Sequence, residues 1–199
     1  MIEQLVPGSA SAEMFSDAPE SAMFASEAAT VAGAVSGRRR EFGTVRHCAR
    51  DALARLGVPA VPIVRDADGA PVWPAGVVGS MTHCAGYRAA VVARAAELRS
   101  VGIDAEPHAA LPEEVLELVV SADAVDEAIP HWDRVVFCAK EAVYKAWFPL
   151  TRRRLDFADV ATTVRRDGSF DARVRGERSF GGRWLADRGL VVAATWVTA

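Results

Sequence analysis

The chain has 199 residues, of which 51% are hydrophobic and 25% charged, the composition of a folded protein with a substantial buried core. Its formal net charge of −3 excludes a global attraction to nucleic acid or anionic membranes, so any anion-binding site has to come from a local basic cluster. Three cysteines without a C-x-x-C pair predict neither a disulfide framework nor a structural zinc site. Neither a membrane-spanning apolar run nor a secretory signal is recognisable, and we expect a cytoplasmic protein that binds no membrane and no nucleic acid.

The first hundred residues are predicted to hold one long helix, a series of turns and two strands. The extreme N-terminus is expected to be loose, with part of residues 20–35 helical. Apolar residues recur at three- and four-residue steps from Phe42 to Leu56, which predicts an amphipathic helix that ends at Gly57. The Pro- and Gly-rich residues 57–79 predict turns. The strands predicted after them cover 77–83 and 87–96.

The second half is predicted to begin with a strand over 101–106 and to continue with two helices. The first helix is expected over 111–120, and the second over 133–147, closed by Pro149. Four apolar segments follow, with a turn at Asp167-Gly168, and resemble an antiparallel sheet. These segments cover 160–164, 170–174, 182–185 and 190–196. The order of helix, strands, helix and strands predicts an α+β fold, with two similar halves that meet near residue 100.

Three carboxylates and a lysine are spaced as a magnesium and phosphate site requires. Asp104 and Glu106 lie two apart in a predicted strand and therefore point to the same face. Glu141 and Lys145 lie four apart in a predicted helix and share one side of it. Mg²⁺ takes oxygen ligands and leaves positions for substrate phosphates, while a lysine offsets phosphate charge. Taken alone, Glu141 and Lys145 also fit a solvated ion pair, and Asp104 and Glu106 fit an ordinary strand end.

Basic residues supply the candidate phosphate-binding groups. The guanidinium group of arginine forms bidentate hydrogen bonds to phosphate, but a run of arginines is more often a solvated helix face. The arginines in question are Arg38, Arg39, Arg40, Arg46, Arg50 and Arg65. His83 follows a predicted strand, where it either donates to a phosphate or serves a structural role. Cys84 next to His83 is disfavoured as a thiol nucleophile with its base, because neighbouring strand residues point to opposite faces and rarely form such a pair.

Three segments, in this order along the chain, resemble the motifs of the 4′-phosphopantetheinyl transferases. Gly79–His83 resembles their motif that ends in Ser/Thr-His, and Val101–Glu106 resembles their G-[IV]-D-x-E motif. Phe137–Lys145 resembles their [FW]-[SCT]-x-K-E-[AS]-x-x-K motif. Residues 38–46 and 73–83 are similar to the enterobactin-synthase component D branch of the surfactin-type enzymes. The match spans residues 37–160.

The resemblance implies a pseudo-twofold α+β monomer that binds coenzyme A and Mg²⁺, or Mn²⁺ in its place, between its halves. The N-terminal half, 1–100, would carry the arginines and the Ser/Thr-His motif, and the C-terminal half, 101–199, the carboxylates and the lysine-bearing helix. Such a holo-[acyl-carrier-protein] synthase moves 4′-phosphopantetheine from coenzyme A to a serine of an acyl- or peptidyl-carrier protein. The other product is adenosine 3′,5′-bisphosphate. The carriers of this family serve fatty-acid, polyketide, nonribosomal-peptide and siderophore synthesis.

The resemblance also implies a role for each residue that matches. The metal would be surrounded by Asp104, Glu106 and Glu141. The 3′-phosphate would be held by Arg38, Arg46 and Arg65, and the diphosphate contacted by Thr82, His83, Lys140 and Lys145. Lys145 would steady or protonate the leaving oxygen, and Glu141 would take the serine proton or act as a metal ligand alone. Arginines 152–154 are candidates for an electropositive rim that meets an acidic carrier.

Two other functions are compatible with the same residues. A magnesium-dependent hydrolase of coenzyme A or nucleotide diphosphates would use the carboxylates and lysines without a protein acceptor. A non-catalytic module that binds RNA or an acidic protein would use the arginines alone. Removal of Mg²⁺ would leave the binding of such a module intact, which distinguishes it from either enzyme.

Overall fold

A computed structural model describes residues 1–19, 23–120 and 123–199. Within these ranges the chain forms two antiparallel sheets, each with a 20-residue helix packed against it. The first half contains β1 (Ala10–Met14), α1 (Ala25–Thr30), α2 (Ser36–Arg55), β2 (Val77–Cys84) and β3 (Tyr87–Arg94). The second half contains β4 (Leu98–Pro107), α3 (Glu113–Val119), α4 (Trp132–Thr151), β5 (Val160–Val164), β6 (Ser169–Val174), β7 (Ser179–Asp187) and β8 (Leu190–Thr198). The strand orders are β1-β3-β2 and β4-β8-β7-β6-β5.

Strand β3, the central strand of the three-stranded sheet, is buried on both faces. Alternate residues of a strand point to opposite faces. Ala90 and Val92 pack against α2, around Leu53, whereas Val91 joins a central core that also contains Ile103 of β4. Both faces of the strand are therefore covered by apolar side chains, and its sequence shows no alternation between polar and apolar residues.

The two sheets meet along β2 and β4, where side-chain hydroxyls take the place of a backbone ladder. The backbone N–H of Ile103 donates to Ser80 Oγ at 3.0 Å, and that of Ala105 donates to Thr82 Oγ1 at 3.1 Å. Thr82 in turn donates to Asp104 Oδ1 at 3.2 Å. Asp104 is therefore fixed at the junction of the two halves by groups from both of them.

The opposite face of β4 lies directly on the backbone of α4. A Cβ atom added to Gly102 would lie 1.9 Å from the carbonyl oxygen of Ala142, so only glycine permits this approach. Ser100 Oγ donates to the carbonyl oxygen of Ala146 at 2.7 Å. This packing brings the end of β4 beside the middle of α4, where two of the sequence motifs face each other.

The α+β fold and the long elements predicted from sequence are confirmed. The segments 160–164 and 77–83 are strands within one residue of the prediction, and the turn at Asp167-Gly168 joins β5 to β6. Helix α2 ends just before Gly57, whose φ of +69° turns the chain away from the helix axis. The change from one sheet to the other falls between β3 and β4, whereas the division into domains 1–100 and 101–199 stays a prediction.

Two local predictions were wrong. The N-terminus is not loose, because β1 pairs with β3 and Ile2 is buried in the central core. Helix α4 does not end before Pro149 but continues to Thr151, since proline interrupts a single hydrogen bond close to the last turn. Of the helix expected within 20–35, α1 forms over Ala25–Thr30, and residues 20–22 lie outside the described part of the chain. No helix among the described residues is both long and apolar enough to cross a membrane.

Candidate active site

A cleft of about 700 Å³ opens between the loop 65–73, strand β2 and helix α4, in the size range of small-molecule sites. Most residues predicted to bind the cofactor line it. These residues are Arg38, Arg46, Arg65, Thr82, His83, Asp104 and Lys145. Three other predicted residues, Glu106, Lys140 and Glu141, are not part of its lining.

Asp104 and Lys145 form the ion pair at the base of the cleft. Lys145 Nζ lies 2.7 Å from Asp104 Oδ1, and the side chain of Asp104 is only 7% exposed. Burial by itself lowers the pKa of Lys145, but the charges of Asp104 and Glu141 outweigh it, so the pKa is raised and the ammonium stays charged. A permanent cation therefore stands where negative charge on a leaving oxygen would be stabilised.

Negative charge accumulates around Asp104 beyond what Lys145 offsets. Burial, followed by the charge of Asp104, raises the pKa of both Glu106 and Glu141, so both glutamates lie within electrostatic reach of Asp104. The second oxygen of Asp104, Oδ2, is buried without a hydrogen-bond partner among the described residues. Unpartnered buried carboxylate oxygens of this kind suit a hard cation.

The carboxylates do not form a complete metal cage by themselves. In the part of the chain that the structure describes, no three acidic, histidine or cysteine side chains form a group that could hold a metal ion. Glu106 lies instead 3.6 Å from Arg134. The donor set thus fits a cation that takes one or two carboxylates and fills its other positions with substrate phosphates and water, as Mg²⁺ commonly does.

Arginines from the N-terminal half add positive charge to the lining of the cleft. Arg46 is buried over the Phe42 ring, with its Cζ 3.2 Å from the ring centre, and it donates to the carbonyl oxygen of Ile63 at 2.7 Å. Burial, and then the neighbouring charge of Arg65, lowers the pKa of Arg46 to about 9. Several cations held this close together favour the binding of a phosphate.

Arg38 and His83, which both line the cleft, contact each other directly. Arg38 Nη1 lies 2.7 Å from His83 Nε2. Burial, followed by the charge of Arg38, lowers the pKa of His83. The histidine is therefore neutral at neutral pH, and it contacts the arginine without repelling it.

Comparison with known proteins agrees with this geometry. A model described as the 4′-phosphopantetheinyl transferase N-terminal domain matches residues 26–93, and one described as the 4′-phosphopantetheinyl transferase superfamily matches residues 100–195. The transferase PptT of Mycobacterium tuberculosis is 49% identical over an alignment 203 residues long, which covers 92% of this chain and 89% of that protein. The transferase Svp of Streptomyces mobaraensis is 49% identical over 100% of this chain and 90% of its own length.

The chain belongs to the 4′-phosphopantetheinyl transferase superfamily. It is a transferase, and its family moves the phosphopantetheine group from coenzyme A to carrier proteins. The resemblance to the enterobactin-synthase branch is weaker than that to PptT and Svp. Enterobactin synthase component D of Salmonella typhi is 36% identical over 120 residues, 55% of this chain and 48% of its own length.

The position of Lys140 in this transferase contradicts its predicted contact with the diphosphate. Its side chain is buried on the far side of α4, where Nζ lies 2.8 Å from Asp123 Oδ2. The same nitrogen donates to the carbonyl oxygens of Val119 at 2.6 Å and of Phe157 at 3.1 Å. Lys140 thus ties α4 to the segments on either side of it and is not available to the cleft.

Sequence reasoning missed several residues that shape the site of the transferase. Glu41 lies between Arg38 and His83, and Arg134 lies beside Glu106. Asp66 was also missed: it lines the cleft and forms an ion pair of 2.6 Å with Arg152, which the sequence had suggested for the carrier-facing rim, and so joins the loop 65–73 to the end of α4. Glu41 could have been noticed as a carboxylate one helical turn after Arg38, whereas the other pairs join distant segments and leave no pattern in the sequence.

Proposed function

We propose that this transferase binds coenzyme A in the cleft and, with Mg²⁺ or Mn²⁺, transfers 4′-phosphopantetheine to a serine of an acyl- or peptidyl-carrier protein, as a monomer in the cytoplasm. The observation that carries the proposal is the state of Asp104. One carboxylate oxygen binds Lys145 at 2.7 Å, and the other is buried without a hydrogen-bond partner among the described residues. This carboxylate lies beside a cleft whose remaining charged lining includes three arginines from the N-terminal half.

The binding step relies on the arginines. Arg38, Arg46 and Arg65 would hold the 3′-phosphate of coenzyme A, since arginine matches phosphate geometry with two parallel donors. His83 contacts Arg38 and Thr82 contacts Asp104, and both residues would contact the diphosphate. Because Arg46 also holds the carbonyl oxygen of Ile63, it has a structural role beside the binding role.

The metal would be held by Asp104, with Glu106 or Glu141 as a second carboxylate and with phosphate and water oxygens in the remaining positions. Asp104 Oδ2 is the donor that best fits this role, because it is buried and without a partner in the described chain. When bound, Mg²⁺ offsets charge on the diphosphate and fixes its orientation.

The chemical step would transfer one proton and break one P–O bond. The serine hydroxyl of the carrier attacks the β-phosphorus of coenzyme A, and its proton passes to Glu141. Burial and the charge of Asp104 raise the pKa of Glu141, which makes it a stronger base than an exposed glutamate. Lys145 steadies the oxygen of the leaving adenosine 3′,5′-bisphosphate, and Asp104 holds that ammonium in place.

The carrier would approach along the rim of the cleft. Arginines 152–154 are exposed there, although Arg152 pairs with Asp66 and Arg153 with Glu177, which offsets part of their charge. An acidic carrier would meet this rim and be steered by the remaining positive charge. An acidic partner of either class, acyl- or peptidyl-carrier protein, fits such a rim.

The experiment is the mass spectrometry of several apo-carriers incubated with the protein, coenzyme A and Mg²⁺. We expect a mass gain of one phosphopantetheine group on the carrier serine, and none with Asp104→Asn, which preserves side-chain shape but removes the charge. Consumption of coenzyme A without a modified carrier would indicate a hydrolase. Normal transfer by Asp104→Asn would contradict the assignment of Asp104 to the metal.

A further inference from the structure

Glu41 is an anion inside a cluster of cations that the proposed function assigns to phosphate binding. Its Oε2 lies 3.4 Å from Arg38 Nη1 and 3.9 Å from His83 Nδ1. Its Oε1 lies 3.5 Å from Arg88 Nη2. A carboxylate next to a phosphate site repels the ligand by simple electrostatics. Its presence between two predicted ligand-binding residues therefore needs a physical reason.

The contact between Arg38 and His83 fixes the protonation of the histidine ring. A guanidinium has five N–H donors and no acceptor. His83 Nε2, at 2.7 Å from Arg38 Nη1, therefore has to be the acceptor and carry no proton. The single ring proton of neutral His83 is then on Nδ1, the atom that faces Glu41. The carboxylate attracts this N–H dipole across 3.9 Å and favours the tautomer that Arg38 requires.

We infer that Glu41 is a positioning residue that aims Arg38 at the phosphate of coenzyme A, directly through its own carboxylate and indirectly through the tautomer of His83. Arg38 and Glu41 are both on the first half of α2, one turn apart, and the ring of His83 reaches them from β2. Contacts to His83 and Glu41 use the Nη1 end of the guanidinium and leave its other donors for a ligand. The inference rests on the proposed binding of coenzyme A by Arg38.

Two simpler roles for Glu41 lead to different results. If Glu41 serves only to neutralise buried Arg88, the other carboxylate on that arginine, Asp17 at 2.9 Å, should be equally important. If Glu41 is only a nearby negative charge, its removal should strengthen the binding of coenzyme A. The positioning role predicts that changes at Glu41 weaken the binding of coenzyme A and that a change at Asp17 leaves it unaltered.

The test is titration calorimetry with coenzyme A, without metal, on Glu41→Gln, Glu41→Ala and the matched control Asp17→Asn. We expect about 10-fold weaker binding for Glu41→Gln, since one aimed, charge-assisted hydrogen bond is lost. The loss should be at least as large for Glu41→Ala, and Asp17→Asn should stay within about twofold of wild type. Unchanged or tighter binding by Glu41→Gln, or an equal loss in Asp17→Asn, would overturn the inference.

A second measurement does not depend on ligand affinity, and its first part uses the wild-type protein alone. Nitrogen-15 spectra of the wild-type histidine rings should show His83 neutral, protonated at Nδ1 and unprotonated at Nε2. In Glu41→Ala the Nε2-protonated form should become populated, whereas Asp17→Asn should retain the wild-type pattern. A wild-type ring protonated at Nε2 would refute the inference. Arg38→Ala separates the two proposals, because normal coenzyme A binding in that variant would refute the proposed role of Arg38 but not the tautomer.

Discussion

Gly102 is the position where a single added methyl group tests the architecture of the site. A Cβ atom there would lie 1.9 Å from the carbonyl oxygen of Ala142 and 2.7 Å from the backbone nitrogen of Ala146. Both atoms belong to the backbone of α4, which cannot rotate away as a side chain can. Restoring an ordinary contact of 3.4 Å requires β4 and α4 to separate by about 1.5 Å.

The expected effect of Gly102→Ala on catalysis exceeds its effect on stability. Overpacking of a core typically costs about 1–3 kcal/mol of the free energy of unfolding. A misplacement of about 1 Å in an active site can cost about 100-fold in rate. Asp104 on β4 and Lys145 on α4 are held 2.7 Å apart, so a larger separation breaks their contact. We therefore expect kcat to fall at least about 100-fold. The loss in coenzyme A affinity should be smaller, because the arginines proposed to bind the 3′-phosphate lie on α2 and in the loop 65–73, not on β4 or α4.

The assay combines chemical denaturation, calorimetry with coenzyme A and the rate of carrier modification. Gly181→Ala is the matched control, because a Cβ atom at that position of β7 would meet nothing closer than an Asp171 oxygen at 4.0 Å. The control should keep the wild-type rate. If Gly102→Ala is folded and turns over at the wild-type rate, the close packing of β4 on α4 does not position the catalytic groups.

Four further substitutions test individual charged residues of the cleft, of helix α4 and of the N-terminal segment. Arg65→Ala should weaken coenzyme A about 10-fold more than dephospho-coenzyme A, measured by calorimetry, because only the former carries the 3′-phosphate; equal losses would remove Arg65 from that role. Lys145→Ala should lower kcat by about 100-fold with little change in coenzyme A affinity, and a pure affinity defect in single-turnover assays would contradict a role in the chemical step. Lys140→Met should lower the free energy of unfolding by about 3–5 kcal/mol, because it removes the cation that pairs with the buried carboxylate of Asp123. Calorimetry should find the affinity of the folded fraction for coenzyme A unchanged. Burial raises the pKa of Glu13, but the Met1 amino group at 2.7 Å and the Tyr87 hydroxyl at 2.6 Å outweigh burial and lower the pKa below its ordinary 4.5. The stability that ionised Glu13 contributes is therefore present above pH 4.5 and is lost as the pH falls through the lowered pKa. Glu13→Gln should make the free energy of unfolding, measured by urea titration, depend less on pH in the acid range, and an unchanged dependence would exclude the contribution.

Local patterns were sufficient to predict most of the helices and strands. The apolar spacing in α2 and the turn at Asp167-Gly168 depend only on nearby residues, and both are found where expected. Strand β1 was missed because its five residues, Ala10–Met14, are short and mostly small, and it forms only because β3 offers it a free edge. The end of α4 was missed because the packing of Trp147 and Phe148 extends the helix beyond the position where proline alone would stop it.

The two lysines of α4 illustrate what a motif leaves undecided. Lys140 and Lys145 are five residues apart, and at about 100° per residue they point about 140° away from each other around the helix. Spacing alone therefore predicts that they face different surroundings but does not say which one faces the cleft. The packing of β4 through Gly102 decides this, because it directs Lys145 at Asp104 and leaves Lys140 to Asp123.

By itself, the sequence determined which chemical groups this protein has, their order along the chain and the family to which they point. Residue types and short spacings are local properties, and they are sufficient for a motif such as Val101–Glu106. Only the tertiary structure decided which charges meet, because the pairs Asp104–Lys145, Arg38–His83 and Asp66–Arg152 join segments 41, 45 and 86 residues apart. Contacts over such separations depend on how sheets and helices pack, which no local pattern encodes.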